Sequence, residues 1–323
     1  IPKNAAAGKY EGIVTIHMND ALTVGKTNKD NLLNKVVSIP VTLTVWNFTL
    51  PDGSSLRNHF GGVEGVAQAF KVDMNSERYK GIEMEYCKMM AANRINPPLP
   101  KSFLPEMRED GSLKISPESN RALKNFMKDF HIKDFPIPMP SIKEPATTNR
   151  DKAIRYFKDY YEFVKENGWE NSAYVYLFDE PNSKESYEKV SELGALVHAA
   201  APQLRCLVTE QPYQQNASWP NIDPAVDIWC PLWSYIDRDA INEKLSNGDE
   251  VWSYTAVGQR APSYHPNYNQ VKDFDPPYWQ IDEHLSSYRV STWINWQYKI
   301  TGLLYWSTVY NSHTITGVVD PWA

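Results

Sequence analysis

Tyr174-Val175-Tyr176-Leu177-Phe178-Asp179-Glu180-Pro181 is an apolar run that ends in two acids and a proline. Its aromatic and β-branched residues favour an extended strand. Asn182, with Glu185 three residues on, resembles a capping box and predicts a helix start directly afterwards. Strand feeding straight into helix is the unit of parallel α/β architecture. In a barrel of such units both carboxylates would stand at the C-terminal rim of the fourth strand, where barrel enzymes carry their reactive groups.

Working outward, short apolar segments recur between helical patterns. Candidate strands are Leu56–Phe60, Arg94–Asn96, Phe135–Met139, Ala173–Leu177, Leu204–Val208, Ile228–Pro231, Val251–Tyr254 and Gly302–Trp306. Eight in one series predict an α/β fold closed as a (β/α)8 barrel. Between them, Tyr79, Ile82, Tyr86 and Met89 share a helical face. Ser116-Pro117 starts a helix carrying Leu123, Phe126, Met127 and Phe130. Ile154, Phe157, Tyr161 and Val164 mark a third, closed by Asn167-Gly168, and Tyr187, Val190, Leu193 and Val197 a fourth. A doubly wound sheet would carry a Gly-rich phosphate turn, which the sequence lacks. Residues 1–52 differ: Ile13 to Ile16 and Val37 to Trp46 are β-branched, with turns expected at Asn19-Asp20 and Gly25 to Asn31. Two or three strands make a poor domain of their own, so the expectation is the end of a β-sandwich over 1–52. The barrel is then expected over 53–323, truncated at its C-terminal end, where the chain closes on Asp320-Pro321-Trp322-Ala323.

The net charge of −6 argues against a nucleic-acid partner. No apolar run approaches the roughly 20 residues of a membrane span. Cys87, Cys206 and Cys230 are too few and scattered for a disulfide framework, and buried free thiols are expected. Asp, His and Cys do not cluster at metal-ligand spacing, so neither metal nor other cofactor is expected. The 11 Trp and 19 Tyr suit stacking against sugar rings, although large aromatic cores look the same in a count. Asn47-Phe48-Thr49 and Asn216-Ala217-Ser218 match the glycosylation triplet, a low-specificity pattern. An extracytoplasmic setting is expected.

A glycosidic bond leaves as a poor alkoxide, so a carboxylic acid must protonate the departing oxygen. Retaining enzymes commonly add a nucleophile about 5 Å away. Adjacent acids cannot easily flank one sugar from opposite faces. They suit another division of labour: Glu180 as acid/base, and Asp179 orienting an N-acetyl group whose oxygen attacks the anomeric carbon. Acids at a helix start are equally at home as dipole-stabilising caps. Glu210, ending the fifth strand, is the candidate nucleophile of the ordinary mechanism, or else a substrate-hydroxyl acceptor or loop anchor. Tyr213, Trp229, Trp233, Trp252, Tyr254, Tyr305 and Trp306 lie near the strand ends as a candidate sugar-stacking wall, of which alternation turns about half inward. Tyr254 could donate to the acetamido oxygen. Arg94 and Asn96 could reach the pocket or tie barrel ends together, and His59 reads best as a satisfied core histidine.

Tyr176-Leu177-Phe178-Asp179-Glu180-Pro181 resembles the catalytic strand of glycoside hydrolase family 123, the β-N-acetylgalactosaminidases. Val45-Trp46-Asn47-Phe48-Thr49-Leu50-Pro51 is similar to that family's join between sandwich and barrel. Trp252-Ser253-Tyr254 is similar to its seventh-strand aromatic pair. Arg289, Trp293 and Trp296, leading into Gly302-Leu303-Leu304-Tyr305-Trp306, resemble its closing helix and strand. The resemblance implies release of terminal β-linked N-acetylgalactosamine from an oligosaccharide or glycoconjugate, with retention and substrate assistance. It assigns acetamido orientation to Asp179 and acid/base work to Glu180. Two rivals stand beside it: a barrel glycosidase using Glu210 on a sugar without an acetamido group, and a non-catalytic carbohydrate-binding barrel.

Overall fold

The computed structural model describes residues 1–18, 35–256, 279 and 285–309. The expected turns at 19–20 and 25–31, and Asp320-Pro321-Trp322, lie outside these. The chain divides into two units, Ile1–Pro51 and Asp52–Ala323.

In the first unit β1 (Gly8–Met18) pairs antiparallel with β2 (Lys35–Val45), Gly8 opposite Val45. Apolar side chains stand exposed on both faces of this ribbon, Ile13 and Val14 among them. A two-stranded ribbon buries too little to be stable alone.

The second unit runs β3 (Arg57–Phe60), α1 (Val66–Ala69), α2 (Glu77–Ala92), the small hairpin β4 (Glu106–Met107) and β5 (Leu113–Lys114), α3 (Pro117–Asp129), β6 (Phe135–Ile137), α4 (Arg150–Glu166) and β7 (Ala173–Phe178). It continues through α5 (Lys184–Ala200), β8 (Arg205–Val208), β9 (Ile228–Trp229), α6 (Arg238–Asn247), β10 (Glu250–Thr255), α7 (Leu285–Gln297) and β11 (Gly302–Tyr305). Seven of these strands form one sheet in the order β3-β11-β10-β9-β8-β7-β6. Every pairing in it is parallel. This is a nearly closed (β/α)8-type barrel.

The seven strands match seven of the eight expected segments; Arg94–Asn96 is the exception. Pro97 and Pro98 have no N–H to give a ladder. The segment is instead tied to β3 through one residue. Asn96 N donates to Asn58 Oδ1 at 2.7 Å and Asn96 Nδ2 donates to Asn58 O at 3.1 Å. A gap therefore remains between β3 and β6.

Alternation along the strands separates two cores. Tyr174, Leu207, Ile228, Cys230, Trp252, Tyr254 and Leu304 fill the barrel interior. Val175, Leu177, Cys206, Val208, Trp229 and Val251 face the helices, where they meet Phe157, Val190 and Val197. Gly302 is required by the interior: a Cβ there would lie 2.2 Å from Trp252 Cδ2. All three cysteines are buried and free. Ser116 caps α3 through Ser119 N, with Pro117 in the first turn. The cap of α5 falls on Ser183, in a reciprocal pair with Ser186, rather than on Asn182. On α2 the buried face is Tyr79, Cys87 and Met90, with Met89 exposed, so the helix is rotated from its expected orientation.

Beneath the interior, at the N-terminal ends of the strands, charges of both signs interlock. Arg57 Nη1 meets Asp134 Oδ1 at 2.6 Å, and Arg57 Nε stands 3.5 Å from Glu250 Oε2. Arg205 Nη1 pairs with Glu250 Oε1. Both arginines also donate to the carbonyl of Asn171, at 3.0 and 2.8 Å. Thr301 Oγ1 and Trp252 Nε1 complete the shell of Glu250.

Candidate active site

The tip of β7 departs from simple alternation. Tyr176 pairs with Leu207 and Phe178 with Val208, so two steps on β7 answer one on β8. Leu177 and Phe178 consequently both pack toward the helices, and the inward direction passes from Tyr176 to Asp179. A bulge of this kind re-aims a side chain. Here it brings the first acid over the barrel mouth.

Neutral hydroxyls hold the pair. Asp179 Oδ1 accepts from Tyr176 OH at 2.7 Å and from Thr209 Oγ1 at 3.1 Å. Thr209 Oγ1 in turn accepts from Glu180 N at 2.8 Å. Tyr254 OH, arriving from β10, donates to Glu180 Oε1 at 2.6 Å. Burial, reinforced by the neighbouring carboxylates, pushes the Tyr176 and Tyr254 phenols well above their usual range, so both remain donors. Glu180 has φ +46°, left-handed backbone that costs a non-glycine residue about 1–3 kcal/mol. The Thr209 and Tyr254 bonds hold it there. Both acids are solvent-exposed, and among the described residues neither pairs with a cation. Asp179 Oδ2 and Glu180 Oε2 accept no hydrogen bond among the described residues.

The other candidates are dispersed. Tyr254 reaches the pair, but its hydroxyl is directed at Glu180. Trp306 is 39% exposed just beyond β11, at the rim. Trp252 is buried inside the barrel, its ring 5.2 Å from that of Tyr174 and below the rim. Trp229 points outward into the helix layer, Nε1 donating to Asp249 at 3.2 Å and its ring under Lys244. Tyr213 lies on that outer side too, beside Tyr187 and Trp229. Trp233 is buried against α7 through Asn295 Oδ1 at 3.1 Å. Tyr305 packs on Phe60. Arg94, with φ +58°, follows the C-terminus of α2 and so stands at the end of the barrel opposite the acids. These five aromatics and Arg94 therefore do not join the wall expected of them.

Glu210 is 3% exposed, and Oε1 accepts from Gln211 N at 2.7 Å and from Gln215 Nε2. Burial pushes its carboxyl up despite these donors. It anchors its own loop. His59 is the core histidine expected: Nδ1 lies 2.8 Å from Tyr174 OH, and burial pushes its imidazole down to about 4. Tyr176 and Thr209 escaped the sequence reading. Their one signal is position, at strand tips beside the acids, and a hydroxyl there is common.

One mixed group of metal-ligating residue types meets among the described residues. The ligating atoms of His198, Cys206 and Asp227 lie within 4.8 Å of one another. Linear spacing hides the group, because it joins α5, β8 and the turn before β9. Asp227 Oδ2 is occupied by His198 Nε2 at 2.9 Å and Cys206 N at 2.7 Å, an arrangement that ties the helix to the sheet.

No family model matches the chain, and no curated protein matches it in sequence. Among solved structures it is similar to the spore cortex-lytic enzyme SleL of Bacillus megaterium QM B1551 (13% identity, 84% of this chain and 74% of that one, TM-score 0.37). It is also similar to an endo-1,4-beta-mannanase of Rhizomucor miehei (10%, 81% and 88%, 0.37). A third is a protein of Galdieria sulphuraria described as a glycerophosphodiester phosphodiesterase (11%, 66% and 68%, 0.32). Likeness of this degree bears on neither substrate nor mechanism.

Proposed function

We propose that the protein is a retaining glycoside hydrolase that releases terminal β-linked N-acetylgalactosamine with the substrate's own acetamido group as nucleophile. One observation carries the reading: the β7 bulge and the left-handed Glu180 bring two adjacent carboxylates to the mouth of the barrel, each with one oxygen engaged by neutral donors. Asp179, with Oδ1 held by Tyr176 and Thr209, uses Oδ2 to accept the acetamido N–H, which makes the acetamido oxygen more nucleophilic. That oxygen attacks the anomeric carbon as the glycosidic bond breaks, and the leaving oxygen takes a proton from Glu180 Oε2. Water then opens the oxazolinium ring at the anomeric carbon, giving its proton back to Glu180. The choice of sugar rests on the resemblance of residues 176–181 to family 123.

The Glu210 alternative is disfavoured by burial and by the bonds that commit the carboxylate to its own loop. A panel of nitrophenyl glycosides tests the proposal. Turnover confined to N-acetylhexosaminides, with inhibition by a thiazoline analogue, is expected. Equal turnover of 2-hydroxy sugars would remove substrate assistance, and sugar binding without any turnover would leave a binding protein.

A further inference from the structure

His198, Cys206 and Asp227 meet at the end of the barrel opposite the acids. His198 is in the last turn of α5, Cys206 is the second residue of β8, and Asp227 directly precedes β9. Two of the three are fixed by the sheet. Asp227 N donates to Cys206 O at 2.9 Å, Cys206 N donates to Asp227 Oδ2 at 2.7 Å, and Asp227 O accepts from Glu250 N at 2.8 Å. The Cys206 side chain faces the helix layer, where His198 brings Nε2 to 2.9 Å from Asp227 Oδ2. The ring also bonds the backbone carbonyl of Pro224. With Nε2 given to Asp227, that bond belongs to Nδ1.

Metal-ligating imidazoles nearly always donate their other N–H to a carbonyl or carboxylate, and ligating carboxylates are themselves hydrogen-bonded. Both conditions are met here by the protein alone. Sulfur, imidazole nitrogen and carboxylate oxygen are the ligand types of zinc, which takes them at about 2.0–2.3 Å in a tetrahedral array, hence roughly 3.3–3.8 Å apart. The three ligating atoms already lie within 4.8 Å of one another. The side chains of His198 and Asp227 are 24% and 37% exposed, so a cation enters from solvent with the buried sulfur behind it. Thiolate and carboxylate together balance two positive charges.

We propose that His198, Cys206 and Asp227 bind one zinc-class divalent cation, with water in the fourth position, and that the cation fastens α5 to β8. The thiol proton and the proton shared by Nε2 and Asp227 leave to solvent as the metal–sulfur and metal–nitrogen bonds form. Burial and Asp227 keep that thiol protonated in the metal-free chain; a coordinating cation removes its proton outright.

Addition of Co2+ to the full, metal-free chain tests the site, because thiolate-bound Co2+ gives a near-ultraviolet charge-transfer band. The band should saturate at one equivalent and vanish when Zn2+ displaces the cobalt. Cys206→Ser should eliminate it. His198→Ala should weaken Zn2+ binding by at least about tenfold, and since His198 is partly exposed this variant decides the matter even if Cys206→Ser does not fold. Zn2+ should raise the unfolding midpoint of the wild type and not that of His198→Ala at the same concentration. A band that persists in Cys206→Ser would move the thiolate to Cys87 or Cys230 and overturn the site. So would a wild-type chain that gives no band, or Zn2+ affinity that is unchanged in His198→Ala.

Discussion

At the N-terminal end of the barrel Arg57 and Arg205 balance Asp134 and Glu250, while at the C-terminal end Asp179 and Glu180 receive only neutral hydroxyls and meet no cation among the described residues. The first arrangement closes on itself. Each charge is spent on another, so the network can tie strands together but has nothing left for a ligand. The second costs backbone strain at Glu180 and leaves one oxygen of each acid for something arriving from solvent. On the proposed function one end serves stability and the other chemistry, which is where barrel enzymes place the two.

The largest effect should come from the rim. Glu180→Gln keeps size and backbone preference but removes the transferable proton, and kcat on an aryl N-acetylgalactosaminide should fall by about 10²–10⁴-fold with the melting temperature unchanged. Asp179→Asn should cost a comparable factor. A loss of stability in place of rate would mean that the pair is a structural cap and the contrast between the ends is false.

Next comes the floor. Arg205→Met removes one cation from Glu250, which keeps Arg57 Nε and Thr301 Oγ1. With both side chains about a quarter exposed, the loss should be about 1–3 kcal/mol. Denaturant unfolding measures it; turnover per folded molecule should be untouched.

Thr209→Val sharpens the comparison from within the rim. It withdraws one donor from Asp179 and the acceptor of Glu180 N. About 1 kcal/mol of stability should go, together with about tenfold in kcat at constant KM, and Thr209→Ser should restore both. Loss of stability alone would make Thr209 part of the scaffold and no positioning residue.

Fold and site were unequally legible for one reason. Strand existence is written in apolar runs bounded by turns, and seven segments survive in the sheet. Arg94–Asn96 failed because two prolines follow it, a signal present in the sequence and outweighed by the need for an eighth strand. Facing was not legible, since strands buried on both sides read as continuous apolar runs. Trp229 and Trp252 look alike in sequence, yet one faces the helices and the other the barrel interior. The acids were found because two carboxylates ending a strand are conspicuous. The bulge that aims Asp179 depends on the register with β8, which no local pattern records.

The smallest effects lie in pH dependence, and they too belong to the floor. Burial, opposed by Arg57, pushes Asp134 up to about 6. In the unfolded chain an aspartate titrates near 3.9. Between these values the folded protein holds a proton that the unfolded chain has lost, so stability falls as pH rises from about 4 to 6, and the full cost persists above. His198 is raised by its bond to Asp227. Its contribution is complete below about 6.5 and disappears as pH climbs through the folded value. With both side chains of that pair partly exposed, it should amount to less than about 1 kcal/mol. The two slopes have the same sign in adjoining windows. His59 opposes them: held down at about 4, against 6.5 ordinarily, it makes stability rise with pH between those values. Unfolding midpoints should therefore change little from pH 4 to 6 and decline from about 6.5 to 8, with Asp134→Asn exposing a rise in the lower part and His198→Gln flattening the upper. If Glu180→Gln altered either slope instead, the rim would be carrying stability that the contrast assigns to the floor.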